Sequence, residues 1–101
     1  MRTERILATI PKTVKKSLMS FSELHRMDHS LVVQRAITQL SDQHPREEDI
    51  PYIRGDTDTL QISLSDTAFC LLKLWSEQTG LSKSKLITYA LEKTIIENGG
   101  I

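Results

Sequence analysis

Leu60-Gln61-Ile62-Ser63-Leu64 alternates strictly between apolar and polar side chains, the period-two pattern of a half-buried β-strand. Successive side chains on a strand point to opposite faces. The alternation therefore predicts that Leu60, Ile62 and Leu64 enter a core while Thr59, Gln61 and Ser63 look outward. A lone strand is not stable, and a candidate partner lies upstream in the same chain. Arg5-Ile6-Leu7-Ala8-Thr9-Ile10 has the same phase, with Ile6, Ala8 and Ile10 inward and Arg5, Leu7 and Thr9 outward.

The two stretches belong to a longer internal similarity. Sliding the sequence on itself by 54 positions places Ile10 on Leu64, Leu18 on Leu72, Phe21 on Trp75, Ser30 on Ser84, Val33 on Ile87 and Ala36 on Ala90, without a gap. This divides the chain into a first repeat (1–44), a linker (45–58) and a second repeat (59–101). Each repeat has only about 40 structured residues, near the limit at which a segment needs a partner to bury a core. The halves are therefore expected to form one folded unit, mainly α with one short two-stranded antiparallel ribbon.

Pro11 ends the first strand and fits the first turn of a helix, where its missing N–H would be unpaired anyway. Helical spacing of Val14, Leu18, Phe21 and Leu24 predicts a helix from Lys12 to about Met27. Lys12, Lys15 and Lys16 sit near its start against the macrodipole, either as a solvated face or to meet phosphates. After a break at residues 26–29, Ser30 suits an N-cap, and Val32, Val33, Ala36, Ile37 and Leu40 form the stripe of a second helix. The polar, proline-containing stretch from Ser41 to Asp58 is the linker, within which Ile50, Tyr52 and Ile53 either strap a neighbouring surface or stay partly exposed. Ser65 or Asp66 caps a third helix that buries Ala68, Leu72, Trp75 and Ser76 and stops at Gly80. Leu81-Ser82-Lys83-Ser84 turns into a last helix carried inward by Leu86, Ile87, Ala90, Leu91 and Ile95, and Asn98-Gly99-Gly100 ends it.

A content of 39% hydrophobic and 26% charged residues is that of a soluble globular chain. The net charge of zero hides an uneven distribution: seven bases against four acids through His44, two against five in residues 45–58, and four of each thereafter. The first repeat is thus weakly basic and the linker acidic, which points to modest nonspecific affinity for a polyanion. Cys70 alone excludes an intramolecular disulfide and has no neighbouring thiolate ligands. No signal peptide or apolar run of transmembrane length stands out, so a cytoplasmic location and no membrane partner are expected. His25 and His29 have a metal-compatible spacing but straddle the helix break, so no metal and no cofactor are expected. No nucleophile and base arrangement, phosphate loop or carboxylate pair is visible, so an enzyme is not expected.

Strand, helix, Gly80-Leu81-Ser82-Lys83-Ser84-Lys85-Leu86-Ile87, helix resembles the ribbon-helix-helix family of DNA-binding proteins, whose turn reads roughly Gly-x-Ser-x-Ser-x-x-Ile. The first repeat departs from it: Arg26 stands where Gly80 stands, and Asp28-His29-Ser30 replaces Ser82-Lys83-Ser84. A left-handed non-glycine residue costs about 1 kcal/mol, and Asp28 puts a negative charge where the family contacts phosphate. The two copies cover about residues 5–41 and 59–96. Family members pair one strand from each of two subunits, so the resemblance implies a tandem ribbon-helix-helix folded as an intramolecular pseudo-dimer. Strand exchange between two chains is the alternative.

It further implies a sequence-specific regulator, a repressor above all, associated with the nucleoid, that lays the ribbon in the major groove of double-stranded DNA. Base contacts then fall to Arg5, Leu7, Thr9, Thr59, Gln61 and Ser63: Arg5 on guanine, Gln61 on adenine, Leu7 on a thymine methyl. Phosphate contacts fall to Lys12, His29, Ser30, Ser82, Lys83 and Ser84. Because the two outward rows differ, the half-sites are expected to differ. Phe69, Leu71 and Leu74 lie off the main buried stripe and either widen the core or mediate self-association on tandem sites. The other functional class is a protein-interaction module of antitoxin or scaffold type. Such antitoxins usually append a long toxin-binding tail, whereas this chain ends shortly after its last helix.

Overall fold

The structure is a computed structural model that describes residues 3–39 and 56–97. Strand β1 (Thr3–Pro11) leads into α1 (Lys12–Leu24) and α2 (His29–Gln39), and β2 (Thr57–Ser65) leads into α3 (Asp66–Thr79) and α4 (Lys83–Leu91), which continues in wider π-helical turns over Glu92–Glu97. Both strands begin before the alternation that announced them, so Thr57 and Asp58, assigned above to the linker, are already paired. The starting residues of corresponding elements are separated by one constant interval: Thr3 and Thr57, Lys12 and Asp66, His29 and Lys83.

β1 and β2 pair antiparallel with Arg5 opposite Ser63, Leu7 opposite Gln61 and Thr9 opposite Thr59. The inner face follows the alternation. Ala8, Ile10, Leu60, Ile62 and Leu64 are buried and Ile6 packs against them. Onto this face the helices bring Val14 and Leu18, then Val32, Val33, Ala36 and Ile37, then Ala68, Leu72 and Trp75, then Leu86, Ile87, Ala90 and Leu91, in one cluster. α2 packs on β2 and α4 on β1, so the second helix of each half covers the strand of the other. Neither half encloses its own apolar face. Truncating a shared residue such as Trp75, 1% exposed, is expected to cost about 3–5 kcal/mol.

The turns between helices use the left-handed conformation in both halves. Arg26 has φ 52° and Gly80 φ 74°. Each turn is closed by a serine hydroxyl donating to the carbonyl five residues on: Ser22 Oγ reaches Met27 O, and Ser76 Oγ reaches Leu81 O at 2.7 Å. Ser76 is therefore half-buried and hydrogen-bonded, not apolar packing. α1 stops at Leu24 instead of near Met27, because Arg26 leaves helical space. That also corrects Leu24, expected in the buried stripe: it is 78% exposed. Leu40, Ile50, Tyr52 and Ile53 lie outside the described residues.

Candidate functional site

The outer face of the ribbon carries three side-chain pairs, successive pairs lying about 7 Å apart along the strands. Arg5, Leu7, Thr9, Thr59 and Gln61 are exposed and Ser63 is half-buried. Leu7, 69% exposed, sits beside Gln61 at the middle. The N–H groups of Thr9 and Ser63 point off the ribbon edges, where each donates to a serine hydroxyl. The outward pairs are thus of the non-hydrogen-bonded kind, in which opposing Cα atoms approach to about 4.5 Å. All six residues expected on this face share it.

A two-stranded ribbon has two open edges, and unpaired strand edges need partners. Here the helix starts provide them, reciprocally between halves. Ser84 Oγ accepts from Thr9 N at 3.0 Å, and Ser30 Oγ accepts from Ser63 N at 3.0 Å. His29 Nε2 donates to Gln61 O at 3.0 Å. Gln34 Oε1 accepts from Ser65 N at 3.1 Å. The position corresponding to Ser65 on the other strand is Pro11, which has no N–H to satisfy, and Thr88 stands there in place of Gln34 and donates to Ser84 O. Ser30, Ser84 and His29, read from sequence as phosphate contacts, therefore use these side-chain atoms to fasten the ribbon. Sequence reasoning missed this because the partners are backbone groups of a distant strand.

The helix caps differ. Asp28, not Ser30, caps α2: its Oδ1 accepts from Ser30 N at 3.0 Å, and its carbonyl accepts from Val32 N. His29 Nδ1 lies 3.5 Å from the same carboxylate. At α4 the neutral Ser82 is the cap, accepting from Lys85 N at 3.2 Å, and Lys83 Nζ sits 5.9 Å from the Phe69 ring centroid. Ser65 caps α3, whereas α1 follows Pro11 without a side-chain cap.

Of the lysines at the start of α1, Lys15 is engaged. Its Nζ lies 3.0 Å from Asp58 Oδ2 and donates to Thr59 O at 3.1 Å. The Lys15 hydrogen bond, then the Thr59 N–H on the other oxygen, then the Lys15 charge hold the Asp58 carboxyl below its ordinary value, with Lys12 adding a smaller pull. Lys12 and Lys16 are exposed. Between α1, α2 and the outer face opens a groove of about 460 Å³ lined by Arg5, Lys15, Met19, Asp28, His29 and Ser63 among others. Asp28 holds Ser30 N, and Ser30 holds Ser63 N opposite Arg5, so the α2 start that Asp28 caps is fastened at the Arg5–Ser63 pair.

On α3, Phe69 and Leu71 pack against the core, and Leu74 is 48% exposed. His25 ends α1 with its ring centroid 4.2 Å from that of Phe21, and His29 opens α2. Among the described residues no three His, Cys, Asp or Glu side chains gather as a metal site, and no helix is long and apolar enough to cross a membrane. Compared with family models, curated proteins and solved structures, the chain finds no match.

Proposed function

We propose that the chain is a tandem ribbon-helix-helix protein, folded as an intramolecular pseudo-dimer, that binds double-stranded DNA sequence-specifically by laying β1 and β2 in the major groove. The observation that carries this reading is the register. Leu7 and Gln61, equivalent under the 54-residue shift, stand opposite each other, with Arg5 beside Ser63 and Thr9 beside Thr59 in the flanking pairs. An antiparallel two-stranded ribbon of this width fits the major groove, and its outward row combines a guanidinium, an amide, three hydroxyls and one apolar tip. Arg5 forms no ion pair among the described residues and is assigned to guanine, Gln61 to adenine and Leu7 to a thymine methyl. Lys12, Lys83 and the cap at Ser82 are assigned to phosphates. The two outward rows differ, so the half-sites differ, as suits a repressor of a non-palindromic operator. Leu74 is the candidate contact between molecules on neighbouring sites.

Exposed Leu7 at the centre of the face also suits an apolar protein partner, which keeps an interaction module of antitoxin or scaffold type as the second reading. Fluorescence anisotropy against random-sequence and promoter duplexes over a salt series separates the two. Binding whose logarithm falls linearly with the logarithm of salt supports the first. Absence of salt-dependent binding leaves only the second.

A further inference from the structure

We infer that Asp28 is a specificity-determining residue of the ribbon: its carboxylate keeps phosphate away from the end that carries Arg5, so that end holds DNA by base contact alone. The inference rests on the DNA-binding reading above. Three observations carry it. Arg5 and Asp28 line the same groove. The Asp28 side chain is 70% exposed, so its charge is not hidden from a ligand lying on the ribbon. It also occupies an amide of α2 that an anion would otherwise find, since Ser30 N donates to its Oδ1. At the other end the corresponding residue is Ser82, which caps α4 with a neutral hydroxyl.

The consequence follows from charge alone. Phosphate contacts give affinity without sequence information, whereas base contacts give discrimination. A carboxylate in the groove that Arg5 lines, Arg5 being the one cation among the six outward residues, trades nonspecific affinity there for dependence on the guanine that Arg5 seeks. It also makes the two ends unequal, so a bound duplex has one preferred orientation.

The test uses the full chain with Asp28→Asn and Ser82→Asp, each titrated by anisotropy against random-sequence duplex and against the duplex recovered by selection on wild type. Asn preserves a side-chain oxygen for the Ser30 N–H and is an equally good cap, so the fold is kept while the charge is removed. Asp28→Asn is expected to bind random duplex about two- to fivefold more tightly at low salt, with a smaller ratio between selected and random affinity. Ser82→Asp is expected to lose a similar factor on both duplexes. Coincident wild-type and Asp28→Asn titrations on random duplex overturn the inference while leaving the DNA-binding reading intact. A wild-type chain without salt-dependent binding overturns both.

Discussion

Leu7 and Gln61 face each other across the ribbon, and they are the pair that the 54-residue shift makes equivalent. Any twofold relating the strands must pass between them. The side chains on its two sides are unlike, an apolar tip and an amide, so the centre of the reading face is asymmetric before any flanking residue is considered.

Gln61→Ala is expected to relax preference at one base pair, removing about 1–3 kcal/mol of discrimination there while leaving random-duplex affinity unchanged. Lys83→Ala is expected to weaken all sequences alike and to make the salt slope shallower by about 0.9. Anisotropy with the selected duplex and its single-base variants reads both. Uniform loss across sequences for Gln61→Ala contradicts its assignment to a base.

The reciprocal serine ties have unequal surroundings. Ser63 N, served by Ser30, is partly buried, whereas Thr9 N, served by Ser84, is exposed to water. Ser30→Ala is therefore expected to lower unfolding free energy by about 1 kcal/mol, and Ser84→Ala by less, because water replaces only the exposed bond. Urea denaturation of the two variants checks the order, and a larger loss for Ser84→Ala contradicts it.

The alternation in residues 5–10 and 60–64 made the ribbon and its inner and outer faces legible, and the apolar spacing located the cores of all four helices. The left-handed turn at Gly80 was legible because glycine marks it, and Arg26 through its alignment with Gly80. Leu24 was misread because helical spacing says nothing about where a helix stops. Fastening of the ribbon by Ser30, Ser84, His29 and Gln34 was not legible, since any serine or histidine near a helix start suits a cap or an anion equally. Lys15 likewise looked like its neighbours until the strand register brought Asp58 beside it.

At Gly80 a Cβ would meet nothing within 4 Å, so the cost of Gly80→Ala is conformational only, about 1 kcal/mol for a left-handed residue. Arg26→Gly, at φ 52°, relieves the same strain and is expected to stabilise, less the entropy that glycine loses on folding. Thermal midpoints should move in opposite directions. A fall with both substitutions contradicts the strain argument at Arg26.

Asp58 is held below its ordinary carboxylate value by Lys15. A group depressed in the folded state contributes stability above its unfolded value, near pH 4, and loses it as pH falls through the folded value. Wild type is thus expected to exceed Asp58→Asn in thermal midpoint at pH 7 by a small margin, since the pair is partly exposed. The margin should shrink at pH 3. A margin constant across that range contradicts the pairing.

Selection of bound duplexes from a random pool tests the central claim most directly, because it asks whether one chain reads base sequence with two unlike strands. The expected result is enrichment of a short non-palindromic sequence, with a guanine-dependent position to one side of its centre that Arg5→Ala abolishes. Enrichment of a palindrome, or no enrichment above the starting pool, would contradict it.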